Sequence, residues 1–417
     1  MRILMLAQWY WPVIGGEENH VRSLSAALAG RGHQVSVVTL AHPGQPAEDR
    51  DGDVRIHRVR ATAQRLPGGH APGSRQSAPP FPDPEASLAL RAICREEAPD
   101  IVHAHNWMVH SVLAAGGRRR PRLVLTLHDY GLVCARKTLH YGGVTCWGPG
   151  PLKCLRCASA HYGPLKGCVA AAGVRGMRPL MRAAVSRFVP VSSAVAEGNA
   201  LAELGLPFEV IPNFIPDHLA DAAPEDSERL AALPADPYLL FVGGLTPIKG
   251  ISVLLEAYRR LQSPPQLVLI GYRSSEPMPE LENPPPGVSV LYDLPRPAVI
   301  AAWKRACLGV VPSVWADPCP TVAMEAMASG VPVVASAIGG LPDIVEDGRS
   351  GSLVRASDPL ALATAIQSLL DDPGRREAMG RAALERVTSF RESTVVPRIE
   401  GLYRSLAGGR SAGRPNA

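Results

Sequence analysis

Residues 310–354 read VVPSVWADPCPTVAMEAMASGVPVVASAIGGLPDIVEDGRSGSLV. The apolar run Leu308–Val311 has the character of a buried strand, which Pro312 and Ser313 end. Pro318 and Pro320 shape the next loop, and Pro320 suits the first turn of a helix, where no N–H is needed. Val322–Ser329 follows as helix, with Gly330 as its left-handed C′ residue. Val333–Ala335 is a second strand, and Gly339-Gly340 opens a second helix.

Two acids set the chemistry. Asp317 lies on the loop after the first strand, and Glu325 lies eight residues later on the helix. In an open parallel α/β sheet, ligands sit beyond the carboxyl ends of the strands. Both carboxylates are therefore expected to face one site. The helix N-terminus between them favours an anion. Acids for hydroxyls beside a helix end for phosphate suit a nucleotide sugar.

The stretch resembles the acidic signature of retaining GT-B glycosyltransferases of the family 4 type. That signature is Glu, seven residues, Glu, with Glu-Ala-Met-Ala and then Gly-x-Pro-Val-Val. Glu325-Ala326-Met327-Ala328, Gly330 and Pro332-Val333-Val334 match it. Asp317 stands where the first Glu is expected, one methylene shorter. The resemblance implies an α/β protein of GT-B architecture, with two Rossmann-like parallel-sheet domains facing a central cleft.

Length and composition agree with two domains: 417 residues are many for one core, and 46% are hydrophobic. A net charge of +5 is mild and does not argue for nucleic acid. No run reaches the ~18 apolar residues of a membrane span. Met1–Ala7 reads as a first strand rather than a signal peptide, so a cytoplasmic protein is expected. Lysine occurs only at 137, 153, 166, 249 and 304 among 43 basic residues, so each lysine is more informative than an arginine.

The expected first domain runs over residues 1–215. Residues 3–7 are a strand, and the loop 8–16 carries Trp9, Trp11 and Gly15-Gly16. A helix (17–31) and the strand Gln34–Leu40 follow. The turn is not G-x-G-x-x-G and strand two ends without an acid for a ribose, which argues against a dinucleotide site. The resemblance instead implies that Gly15 and Gly16 face the donor phosphates, with Trp9 and Trp11 on the acceptor side. Pro67–Pro84 is dense in Pro, Gly and Ser and reads as an acceptor-side flap or a plain surface loop. Arg118–Arg120 reads as a solvated turn. The strand Leu123–Leu127 ends in His128-Asp129; the resemblance implies a role for His128 at the donor sugar's primary hydroxyl and puts Asp129 beside the acceptor.

Cys134, Cys146, Cys154 and Cys157 fall in one loop-rich insert, 134–168, with Cys168 nearby. The Cys154-x-x-Cys157 spacing is that of a metal knuckle. Structural zinc, disulfide or redox chemistry, and unpaired small thiols are the three readings of this insert. The basic stretch Gly173–Arg187 is partly helical, and either a solvated face or a weak peripheral membrane contact suits it. Phe208–Ile211 is expected as the domain's last strand.

A linker (216–237) precedes a second domain over 238–390. Its strand Tyr238–Val242 runs into Gly243-Gly244-Leu245-Thr246-Pro247-Ile248-Lys249-Gly250. Glycines let backbone approach phosphate, and the following helix N-terminus faces it. The resemblance expects Gly-Arg in place of Gly243-Gly244, so Lys249 is left as the one matched cation. Gly271 ends the next strand. A terminal helix (391–406) is expected to cross back to the first domain, followed by a tail (407–417).

The function implied is retaining transfer of a sugar from a UDP or GDP sugar to a small-molecule or glycan acceptor, in natural-product or glycan biosynthesis. Lys249 and backbone N–H groups at Gly15-Gly16 and at the helix start after Pro320, at Thr321 and Val322, would hold the leaving phosphate. Glu325 would hold ribose hydroxyls, and Asp317 with His128 the sugar. No Asp-x-Asp motif stands where a donor metal would need it, so catalysis without a metal is expected. Two rivals share the fold: a nucleotide-sugar epimerase or phosphorylase, and a binding protein that has lost turnover.

Overall fold

The computed structural model describes residues 1–417 except 14, 66–77, 116–120, 143, 222–231, 274–277 and 409–417. The Pro/Gly-rich stretch up to residue 77, Arg118–Arg120, the middle of the linker and nearly all of the tail lie outside the described residues. The chain divides into two compact units. One is Met1–Tyr141, Cys146–Pro212 and Val395–Ala417; the other is Gly142–Thr145 and Asn213–Thr394.

The first unit is built on strands β1 (Arg2–Leu6), β2 (Gln34–Leu40), β3 (Glu48–Asp51), β4 (Val54–Val59), β5 (Ile101–Ala104) and β6 (Arg122–Leu127). The short strand β7 (His140–Tyr141) follows, and β9 (Arg187–Pro190) closes the set; the short strand β8 (Val144–Thr145) is grouped with the second unit. The sheet order is β3-β4-β2-β1-β5-β6-β9, parallel except for the β3–β4 pair. Near-continuous apolar runs such as Leu4-Met5-Leu6 are buried on both faces, as a helix-covered parallel sheet requires.

The second unit holds β10 (Tyr238–Val242), β11 (Leu267–Gly271), β12 (Val288–Tyr292), β13 (Ala306–Val311), β14 (Val333–Ser336) and β15 (Gly351–Val354), all parallel in the order β12-β11-β10-β13-β14-β15. Leu239, Phe241, Leu267, Leu269, Leu308 and Val310 form its core with helices Ile251–Tyr258 and Pro359–Leu370. Each sheet starts in its middle and builds outward both ways. The strand order therefore reverses beside β1 and beside β10, which are the two ligand-binding switch points of doubly wound sheets.

Two expectations need correction. Phe208–Ile211 is not a strand: Phe208 makes one isolated parallel bridge to Phe188. Glu209 and Ile211 still donate to the Phe188 and Pro190 carbonyls. Pro207 and Pro212 flank the segment and lack N–H donors, so the ladder cannot extend. The cysteine-rich insert is also more helical than expected. Cys154 and Cys157 ride on a helix (Pro151–Tyr162), and after Gly163 a second helix runs over Pro164–Ala184. Pro151 and Pro164 occupy first turns, where proline costs no hydrogen bond. No helix among the described residues is long and apolar enough to cross a membrane.

Candidate active site

In the second unit the loops after β10 and β13 meet at the switch point. Two glycines set the meeting. Gly250, at φ +79°, lies so close to Pro312 that a Cβ would overlap the Pro312 carbonyl oxygen. The 3-10 turn Pro247–Lys249 can therefore press against the end of β13, and Val314 N–H donates to the Ile248 carbonyl at 3.0 Å. Gly339, at φ +63°, lies as close to the backbone of Asp317, and Gly340 N–H donates to the Asp317 carbonyl at 2.8 Å. The acidic loop is thus clamped from both sides.

The clamp delivers Lys249 Nζ onto Asp317 Oδ2 as an ion pair. Asp317 is buried and Lys249 partly so. Glu325, buried on the helix Thr321–Ala328, accepts from Arg296 Nη2 at 3.0 Å. Burial raises the Glu325 pKa above the usual carboxylate range, and Arg296 opposes the shift. Each acid therefore has its own cation. Arg296 carries no sequence signal; in an arginine-rich chain, nothing in its local surroundings sets it apart.

The other donor-side candidates surround these groups. Gly243 follows β10 and Gly271 ends the adjacent β11, with Gly243 N–H donating to the Ile270 carbonyl at 3.0 Å. Pro320 caps the helix whose first residues are Thr321 and Val322. At Gly244 a Cβ would lie 2.6 Å from Tyr272 Oη, so Tyr272 fills the side from which an arginine would start. Ser313 Oγ and Trp315 Nε1, on the β13 loop, are buried and have no protein partner.

In the first unit the strand ends carry imidazoles. His128, after β6, lies with its Nε2 3.0 Å from His105 Nδ1, after β5. His105 packs against His103 with tilted rings, centroids 4.2 Å apart. His103 is held by Tyr403 Oη at 2.5 Å and by Thr126 Oγ1 at 2.7 Å. His20, from the helix Gly16–Gly30, packs edge-on against His128. Burial is the first cause of depressed basicity in all of them: His20 is pushed down to about 4, His103 to about 3, and His105 and His128 well below the usual imidazole value. His128 is therefore a neutral hydrogen-bonding group at pH 7. The ring nitrogens of His20, His105 and His128 lie within 4.8 Å of one another, a set that could hold a metal ion.

Asp129 serves the fold. Its Oδ1 accepts from Gly131 N–H at 2.6 Å and its Oδ2 lies 3.5 Å from Lys137 Nζ. Lys137 sits over the Trp107 ring at 4.4 Å. These groups line a pocket with His105, His128 and Asn106, closed on another side by Met177 and Arg178 of the insert's second helix. Trp11 is exposed under the Arg22 guanidinium, which bonds Asp51 on β3; Trp9 is half-buried. The Gly15-Gly16 turn leads into Glu17 and Glu18. Glu17 accepts from Asn106 Nδ2 at 2.5 Å, and burial pushes its pKa up to about 8. At pH 7 it is largely protonated, which removes a negative charge from a helix start expected to meet phosphate.

Comparisons with known proteins bear on both units. The Glycosyl transferase 4-like domain model matches residues 15–214, and the Glycosyl transferases group 1 model matches residues 223–386. The chain is 32% identical over 340 residues to D-inositol 3-phosphate glycosyltransferase 1 of Catenulispora acidiphila, covering 76% of this chain and 74% of that one. It is 29% identical over 435 residues to a glycogen synthase of Mycobacterium tuberculosis, covering 100% and 97%. Among solved structures, sucrose-phosphate synthase from Thermosynechococcus elongatus superposes with a TM-score of 0.73 at 22% identity, covering 98% and 99% of the two chains. Anabaena HepE in complex with UDP and glucose gives 0.68 at 19% identity, covering 97% and 100%.

Proposed function

The chain belongs to the glycosyl transferases of group 1, the family 4 type with GT-B fold, and from that premise we propose retaining transfer of a sugar from a nucleoside diphosphate sugar to a small-molecule or glycan acceptor. The observation that carries the proposal is the Lys249–Asp317 pair at the switch point of the second sheet, with Glu325 on the helix after β13 and Arg296 at the start of the helix Arg296–Arg305. UDP and glucose bound to HepE support the donor class.

The donor's diphosphate takes Lys249 from Asp317, and the freed carboxylate accepts from sugar hydroxyls. Glu325 accepts from the ribose. The anomeric C1–O bond to the diphosphate breaks, and the acceptor oxygen bonds C1 on the same face. The acceptor's proton passes to the departing phosphate oxygen, so no side-chain base is required. Neutral His128 donates to a sugar hydroxyl. Lys249, Arg296 and backbone N–H groups near Thr321 supply the positive charge that a metal would otherwise provide.

The test is a thermal-shift screen of UDP and GDP sugars, since a bound donor raises apparent stability. The stabilising donor is then incubated with acceptors, and the product anomer is assigned by NMR. An anomer with the donor's configuration, formed with chelator present, is expected. Epimerised donor would assign a different reaction, and stabilisation without turnover would assign a binding protein. An inverted product would overturn retention.

A further inference from the structure

The thiols of the insert have no part in the donor-side site, yet they share one location. Cys134, Cys146, Cys154 and Cys157 come from three segments and line a single cavity of about 30 Å³. That is room for an ion or one or two waters, and too little for a sugar. All four are free thiols. His140 lines the same cavity, and its Nδ1 is buried without a protein partner.

We propose that Cys134, Cys146, Cys154 and Cys157 bind one structural Zn²⁺. The ligand spacing suits it: Cys154 and Cys157 lie one turn apart on the first part of a helix, and the other two come from preceding loops. Gly150 N–H points at Cys154 Sγ at 3.3 Å, the kind of donor that orients a ligating sulfur. Four thiolates around Zn²⁺ leave two negative charges. Two cations offset them: Lys153 Nζ lies 3.2 Å from Cys146 Sγ, and Arg136 Nη1 lies 3.9 Å from Cys157 Sγ. The four sulfurs lie farther apart than a bound ion would hold them, since the three-histidine group is the one set of ligand atoms within 4.8 Å among the described residues. Binding therefore requires the side chains to turn inward, with release of four thiol protons to solvent.

The site has a structural consequence. The helix carrying Cys154 and Cys157 also carries Tyr162, whose Oη donates to the Ala135 carbonyl at 3.0 Å. Arg178, on the next helix, donates to the Leu132 and Val133 carbonyls at 3.3 and 3.2 Å. These bonds fix the segment that follows His128-Asp129, and Met177 and Arg178 line the pocket beside it. Zinc would thus stiffen the wall of the histidine pocket without touching a reacting atom.

The full chain, purified under reducing conditions, is expected to carry about one zinc per chain by elemental analysis. A mercurial titrant should release it. Exchange for Co²⁺ should give the intense thiolate charge-transfer absorption of a tetrahedral four-sulfur site. Cys154→Ser and Cys157→Ser should lose the metal, while Cys94→Ser and Cys168→Ser keep it. His140→Ala should also keep it; loss there, with retention in Cys154→Ser or Cys157→Ser, would overturn the four-thiol assignment. Wild-type protein without zinc, a disulfide among these cysteines by mass spectrometry, or iron with labile sulfide would each overturn the proposal. None of these readouts depends on turnover, so the outcome is separate from that of the glycosyl transfer.

Discussion

The six parallel strands of each unit follow the same order, and the two units place opposite electrostatics at its switch point. At the ends of β10 and β13 the groups are charged and paired: Lys249 with Asp317, and Arg296 with Glu325. At the ends of β5 and β6 they are imidazoles kept neutral by burial, beside a Glu17 that holds its proton to about pH 8. A charged pair can exchange one partner for a ligand's phosphate or hydroxyls. A neutral cluster has no charge to exchange, and donates and accepts hydrogen bonds. Under the proposed function, anion handling falls to the second unit and hydroxyl recognition to the first.

The largest expected effect breaks the two units apart by pH. His20, His103 and His110 (buried on the helix Val109–Ala115) have folded pKa values of about 4, 3 and 4, below an unfolded value near 6.5. Between those limits the unfolded chain binds more protons. Stability is thus present above the unfolded pKa and is lost as pH falls toward the folded values, at up to ~1.4 kcal/mol per pH unit for each histidine. His105 and His128 add to the same trend. Glu17 acts oppositely: its raised pKa makes stability fall as pH rises through about 8. Hydrogen exchange at pH 7, 5.5 and 4.5 should show β1, β5 and β6 losing protection before β10 and β13. Equal loss in both sheets would sink the contrast.

Next come the charges themselves. Lys249→Ala and Glu325→Ala should each lower kcat at least ~100-fold, about 2.7 kcal/mol or more, as for loss of one preorganised charge-stabilising group. Single-turnover rates with saturating donor check this. Near-normal rates in both variants would move the site elsewhere. Asp317→Asn should show non-additivity with Lys249→Ala, because each removes the other's partner.

The second unit's candidate groups are legible in sequence, and the first unit's mostly are not. The acidic stretch combines strand, glycine and helix signals within 45 residues, so the fold of β13, β14 and the helix between them follows from local pattern. Lys249 stands out because lysine is rare here. Arg296 does not, because only the tertiary packing brings it to Glu325; Ser313 and Trp315 neighbour Asp317 in sequence, but their burial without a protein partner leaves no local signal. In the first unit, His128 is conspicuous at a strand end. His20, His105 and Glu17 are not, since their shared property is burial against one another, and burial between distant segments leaves no local signature. The strands β3 and β4 also escape a sequence reading, although Asp51 of β3 anchors both Tyr10 and Arg22 near the first glycine turn.

A smaller effect separates neutral from charged recognition in the first unit. His128→Ala should lower kcat ~10-fold, the loss expected for one hydrogen bond to the substrate of about 1.4 kcal/mol. His128→Gln should recover part of the rate, because an amide also donates. The wild-type rate should show no inflection near pH 6.5 from His128, since burial holds its pKa well below that value. A kcat profile that falls with a midpoint at 6.5 and flattens in His128→Gln would make His128 a titrating acid–base group.

The smallest effect tests the departure at Gly244. An arginine there would restore a second cation beside the phosphate loop, yet its Cβ would lie 2.6 Å from Tyr272 Oη. Tyr272 is 60% exposed, so its ring can swing into solvent at little cost. Gly244→Arg should therefore tighten binding of the nucleoside diphosphate a few-fold, within the ~1 kcal/mol of a partly solvated ion pair. The gain should shrink at high salt, where exposed charges are screened. Gly244→Arg with Tyr272→Ala should gain more than Gly244→Arg alone, because the clash is removed. If both variants bind the diphosphate as the wild type does, Arg296 already fills the second cation's place, and the asymmetry between the units is complete without residue 244.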